Sequence, residues 1–416
     1  MTAGRSRRLV RCAASSLAIL LASSASAFDW RDPWQEPHDA TTAAKRSDEY
    51  AWRLFVALEW PGDPRTRGPD RSARFGSDLP VVWETWRTAE SVYLERGADP
   101  GPWLSSRLDN ERRFETFLPQ DLPNLRHVVA GVMVPLSDPI ASSRRLTEIR
   151  MNRPTYEFIR SHRLYSVEGQ LRAYAGAGAV AFPYGAREVE AKWRPIREDE
   201  RARYHTLEVR LADGTQRLYG LTGLHIASKD LPSWFWATFE HVDNPTLADS
   251  EGWELPSRDR FACGSASAGC NRAPAGIGLE GTVWQYYRLR GTLTGYTDAE
   301  GEPARLANSE FESGMQTSAS CITCHARAAI AVVHGESMRL PILDQRESAT
   351  DPRERRGFLG APKLSWFEPE GAAGPRFKPL DFVWSLSKAR RVDGGSDRAH
   401  RGGSNDARDG AVGAGG

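Results

Sequence analysis

Cys321-Ile322-Thr323-Cys324-His325 constrains this chain more than any other stretch of it. Three chemistries use a cysteine pair at this spacing: a redox dithiol, a zinc site, and covalent haem attachment. A thioredoxin-like dithiol opens a helix after a strand in a βαβ unit, whereas here the preceding segment has helical character. Zinc needs four ligands. The other cysteine pair outside the N-terminus, Cys263 and Cys270, lies about fifty residues upstream in a Gly-rich stretch. Two thiols three positions apart can reach the two vinyl groups of one haem, with the adjacent histidine beneath the iron. The expectation is one covalent haem c, attached at Cys321 and Cys324, with His325 as the proximal ligand.

The N-terminus points to the compartment in which that chemistry is done. Arg5, Arg7, Arg8 and Arg11 precede an apolar run, Cys12 to Ala22. The run is well short of the ~20 residues of a membrane-spanning helix. Ala25-Ser26-Ala27 then offers small residues for cleavage, so residues 1–27 read as a signal peptide. The expected location is the periplasm of a Gram-negative bacterium, with no membrane span after cleavage. Removing four arginines and no acid takes the formal net charge from +1 to −3. Such a near-balanced chain has no electrostatic footprint for nucleic acid. Cys12 leaves with the signal. Cys263 and Cys270 are then spare in an oxidising compartment, and they are expected to form a disulfide.

Along the chain, Ser47–Trp60 carries apolar residues at helical spacing and stops at Pro61-Gly62. Val81–Tyr93 and Arg153–Arg163 also read as helices, the latter followed by strand-like Leu164–Tyr174. The middle is β-rich: Glu188–Ile196, a hairpin of His205–Leu211 and Gln216–Ala227 about Asp213-Gly214, the aromatic segment Trp234–Val242, and residues 283–290. Ala304–Ser318 and Ala326–Val333 are expected to be helices flanking the cysteine motif. Residues 389–416 read as a disordered tail. Gly176-Ala177-Gly178-Ala179-Val180-Ala181 imitates a dinucleotide fingerprint but lacks the helix and downstream acid that would give it that role.

For the second iron ligand the sequence offers His225, His241, His334, Met315 and Met338. His241 is preferred slightly to His225, because the 225–241 block is the most aromatic part of the chain, and both are preferred to Met338. His334 and Met338 lie so close after His325 that a sharp reversal would be needed to reach the opposite haem face.

Several blocks resemble a family of large, exported, uncharacterised bacterial monohaem cytochrome c-like proteins. They are Ala51–Pro61, Glu188–Arg194, Leu224–Ile226 with Trp234–Asn244, Leu306–Asn308, the cysteine motif, and Asp381–Leu386, together spanning about residues 48–388. The resemblance implies a periplasmic haem protein and no particular substrate. The expected fold is α+β: a mixed, β-rich body (28–299) with a helical c-type haem segment (300–388) near the C-terminus. The expected function is haem binding and single-electron transfer to a periplasmic redox partner protein. The alternatives are a haem enzyme of peroxidase or oxygenase type with an open iron site, and a redox or gas sensor.

Overall fold

The computed structural model describes residues 31–105, 115–116, 146–210, 216–244, 256–266, 268–312, 316–333, 336–341, 357–368 and 376–392. The signal-peptide reading, Met315 and His334 lie outside the described residues. From Pro33 onward the chain clusters as one unit.

Its centre is an antiparallel sheet with the strand order β10-β9-β8-β6-β5-β3. These strands are β3 (Arg87–Thr88), β5 (Leu146–Met151), β6 (Arg187–Pro195), β8 (Gln216–Ser228), β9 (Phe235–His241) and β10 (Tyr287–Leu293). β4 (Glu115–Thr116) pairs with β5, and β7 (Thr206–Arg210) pairs with β8. A two-stranded ribbon, β1 (Gly62–Asp63) with β2 (Gly68–Pro69), stands apart. A small sheet of β11 (Ala329–Val333), β12 (Glu336–Met338) and β13 (Lys378–Pro379) follows the cysteine motif.

The register gives the central sheet two chemically different faces. Val189 lies opposite Ile226, which lies opposite Ala237; Ala191, Leu224, Phe239 and Leu289 line up in the same way. This apolar face is covered by α2 (Ser47–Leu58), which follows the short α1 (Ala40–Lys45). Phe55 packs 4.4 Å from Phe239, Trp52 5.0 Å from Phe239, and Tyr50 4.9 Å from Phe235. Buried aromatic surface of this kind is the main source of stability in such a core.

The other face is polar. Glu188, Glu190 and Lys192 of β6 lie opposite Ala227, His225 and Gly223 of β8. Those in turn lie opposite Trp236, Thr238 and Glu240 of β9. Buried charge of this kind must be paired. Glu240 therefore meets both Arg288 at 2.7 Å and Arg290 at 3.3 Å. Residues 308–312 lie across this face. Asn308 Nδ2 donates to Thr238 Oγ1 (2.8 Å) and to the Phe239 carbonyl (2.9 Å), and Ser309 N–H donates to Glu240 Oε1 (2.6 Å). Gly223 permits the close approach, since a Cβ there would stand 3.0 Å from the Phe311 ring and 3.2 Å from Asn308.

The α+β class and the β-rich body are therefore present, but several local elements differ from the sequence reading. Val81–Tyr93 is no continuous helix: a 3-10 turn at Trp83–Thr85 runs into β3 and then α3 (Ala89–Val92). Arg153–Ser161 is α4 as expected, but Leu164–Tyr174 is largely α5 (Val167–Ala175) rather than a strand. Ser166 caps α5 by accepting the Gly169 N–H at 3.1 Å, a local bond that the alternation of apolar residues concealed. Within Ala326–Val333, residues Ala329–Val333 form strand β11 instead of a helix, because this Ile- and Val-rich stretch pairs its backbone into the small sheet. Between Ala304 and Glu312 there is no helix; the chain follows the sheet surface instead. Order also continues past residue 389: Val167 N–H donates to the Arg390 carbonyl, and Arg391 pairs with Glu336.

Candidate functional site

Cys321, Cys324 and His325 stand on α6 (Cys321–His325), a helix of five residues between Ser320 and Ala326. Ser320 is extended and bridges to Leu306. Ile322 and Thr323 face inward and are buried, while Cys321, Cys324 and His325 are partly exposed. The helix thus turns its three chemically active side chains to one accessible side and anchors itself with the other two.

His325 is held from behind. Its Nδ1 donates to the Phe382 carbonyl at 2.8 Å, which leaves Nε2 as the free ring nitrogen. Metal-ligating histidines commonly have this arrangement, since a bond at one nitrogen fixes the tautomer and aims the other. The Trp236 ring lies 4.5 Å from the imidazole and Phe382 6.0 Å from Trp236. Burial pulls the His325 pKa down to about 4, against the raising effect of the Phe382 carbonyl, so the ring is neutral at physiological pH. Burial also pushes both thiols up, with His225 pulling partly against it at Cys321.

The carbonyl that fixes His325 sits on strained backbone. Asp381 and Phe382 have φ of 49° and 68°, a left-handed pair of residues without a glycine. Asp381 is pinned on both oxygens. Lys229 Nζ (2.6 Å) and Trp234 Nε1 (3.3 Å) donate to Oδ1, and Phe182 N–H (2.6 Å) donates to Oδ2. Trp384 Nε1 closes the arrangement by donating to the Cys324 carbonyl at 2.8 Å.

The candidate second ligands fall in different places. His225, on the polar face, is beside the motif: its Nε2 is 3.4 Å from Glu312 Oε1, and the Cys321 thiol is within its hydrogen-bonding reach. Phe311 packs 4.1 Å from its ring. Burial lowers the His225 pKa, but the Glu312 carboxylate and the Cys321 sulfur together outweigh it and hold the imidazole well above its ordinary value. Burial raises Glu190, directly across from His225, and the His225 charge offsets part of that rise.

His241 is not brought to the motif. It lies on the apolar face, stacked 3.7 Å from Tyr204, and both ring nitrogens are engaged: Nε2 with the Arg203 carbonyl (3.0 Å) and Nδ1 with the Asp243 N–H (3.2 Å). It is also five residues along β9 from Trp236, roughly 17 Å at strand spacing. The slight preference for His241 over His225 thus reverses in position. Met338 sits in β12 against Ala329, Ala331, Leu340 and Phe377. Cys263 and Cys270 are joined by a disulfide, with Cα atoms 6.0 Å apart.

The donor set fits a covalently held haem. It has two thiols that form no disulfide and one neutral imidazole with a fixed tautomer on the same side of a short helix, beside an aromatic wall. Trp236 belongs to the aromatic block, and Asp381 and Phe382 to the last of the resembling blocks, that the sequence singled out, whereas Glu312 carries no sequence signal for this site. Only the register and the left-handed turn bring them to it. Comparison of the chain with protein-family models, curated proteins and solved structures finds no match.

Proposed function

We propose that this chain is an exported, periplasmic, monohaem c-type cytochrome that exchanges single electrons with a redox partner protein. Cys321 and Cys324 form the thioether bonds and His325 Nε2 ligates the iron. The observation that carries the reading is the His325 arrangement: a C-x-x-C-H histidine whose Nδ1 is committed to the Phe382 carbonyl. Bound there, the haem supplies a one-electron Fe(III)/Fe(II) couple. The chain's own residues do the rest. Phe382 and Asp381 orient the imidazole, Trp236 packs on it, and burial keeps it unprotonated.

The test is covalent attachment. Protein matured in a host competent for cytochrome c assembly, then denatured and run on a gel, should retain haem peroxidase staining. Cys321→Ala with Cys324→Ala should abolish the stain. Absence of stain from the unaltered chain would overturn the proposal.

A second reading, a haem oxidoreductase with an open iron site, is favoured by one observation. His225, Glu312 and Glu190 form a half-buried acid–base group beside Cys321. A charged His225 paired to Glu312 can hand on a proton near the reaction centre and is correspondingly a poorer iron ligand. Ferric and ferrous absorption spectra separate the readings. Six-coordinate low-spin iron in both states supports electron transfer, and a five-coordinate high-spin state that binds CO or peroxide supports an enzyme or a sensor.

A further inference from the structure

On the apolar-face side of the molecule an open cleft of about 430 Å³ lies between the residues before α1, the β1–β2 ribbon and the start of α4. Four arginines line it, Arg67, Arg71, Arg153 and Arg187, against one carboxylate, Glu36. Its walls are aromatic: Trp34, Trp86, Trp103 and the strongly exposed Tyr184. We propose that this cleft binds a small organic anion with a flat apolar body, such as an aromatic carboxylate.

Three independent features point that way. The first is Arg67, at the turn of the β1–β2 ribbon. It has a φ of 58°, a conformation that Gly or Asn adopts at less cost, yet its long side chain is folded inward and is 5% exposed. Its Nη1 donates to the Thr85 carbonyl at 2.9 Å, and its guanidinium lies 5.3 Å from the Trp103 ring centre. A charged group is thereby fixed against an aromatic wall at the cost of local backbone strain.

The second is Arg187, which is 1% exposed. Its Nη atoms serve Glu36, Asp230 and the Pro37 carbonyl, but its buried Nε–H has no acceptor among the described residues. A buried donor without a partner is costly, and an acceptor supplied from outside would relieve that cost.

The third is the rim. Arg71 is exposed and has no acidic partner among the described residues, and Arg153 meets only the half-exposed Glu157 at 3.5 Å. Asn152, Arg153 and Pro154 present the first turn of α4 to the cleft, adding the positive end of a nine-residue helix. Guanidinium groups fixed beside tryptophan faces select a charged head on a flat apolar body over either part alone.

Intrinsic tryptophan fluorescence of the full exported protein, titrated with benzoate at constant ionic strength, tests the site. Saturable quenching is expected. Benzyl alcohol and acetate should each bind at least ~10-fold more weakly, as loss of one charge-assisted or stacking contact implies. The surface variants Arg71→Gln and Tyr184→Ala should each weaken benzoate by about the same factor, with an unchanged melting temperature. Absence of saturation would overturn the proposal, as would benzoate affinity unaffected by both variants. Inorganic phosphate binding as tightly as benzoate would assign the cleft to a bare oxyanion and equally overturn it. None of these outcomes depends on whether the haem stain is present.

Discussion

His225 and His241 occupy opposite faces of one antiparallel sheet. His225 lies directly across from Thr238, and His241 is three residues further along that strand, so their side chains point to opposite sides. One faces Glu312 and the cysteine motif, the other Tyr204 and the core. Substitution should therefore separate their effects. His241→Ala should lower stability by about 2–3 kcal/mol, from lost packing and two lost hydrogen bonds, and leave the absorption spectrum of the proposed haem unchanged. His225→Ala should change the spectrum or the potential and cost less stability. A spectral change confined to His241→Ala would contradict this assignment.

Asp381 should matter to His325 although the two are not in contact. Its three hydrogen bonds hold the left-handed turn that presents the Phe382 carbonyl. Asp381→Ala should destabilise the fold by about 2 kcal/mol, because it leaves the buried Lys229 ammonium unpaired. If the chain holds the proposed haem, it should also shift the midpoint potential, since the His325 imidazole loses its fixed partner. Asp381→Asn should lie between wild type and Asp381→Ala in a potentiometric titration; an unchanged potential in both variants would show that the turn does not act through His325.

Gly223 lets residues 308–312 lie flat on the polar face. A methyl group there meets Phe311, Asn308 and Glu310 within 3.0–3.3 Å. Gly223→Ala should cost about 1–3 kcal/mol by overpacking. Gly178→Ala, where a Cβ meets nothing within 4 Å, is the control and should be near neutral. Urea denaturation of the two variants side by side makes the comparison.

Glu188 makes stability depend on pH. Burial raises its pKa from 4.5 to about 7, against the hydrogen bond donated by Ser385 at 2.5 Å. A carboxyl raised in the folded state contributes stability that is fully present below pH 4.5 and is lost as pH rises through about 7. Glu188→Gln removes that dependence. Relative to wild type, the variant should therefore gain stability between pH 5 and pH 8, by up to about 3 kcal/mol. Thermal melts at the two pH values decide it, and a constant difference between the proteins would rule out Glu188 as the titrating group.

Much of the body was legible in the sequence because period-two alternation is local. β6, β8 and β9 fall within a residue or two of the segments expected from alternation, a hairpin turn and aromatic content, and α2 follows its 3.6-residue spacing. Leu164–Tyr174 and Ala326–Val333 misled because a short apolar run has no clear period. There a cap at Ser166 and pairing partners at Met338 and Lys378 decided between helix and strand.

The sequence alone determined the chemistry available at α6: two thiols and an imidazole in C-x-x-C-H spacing, a feature of adjacent residues. It also supplied the charges now buried on one sheet face and the aromatics on the other. Which histidine joins the motif was decided only by tertiary structure, because a sheet's register assigns each residue to one of two faces and depends on partners far away in the chain. The same holds for the Phe382 carbonyl behind His325 and for the arginine cleft. Each is assembled from segments well separated along the chain, whose meeting no local pattern records.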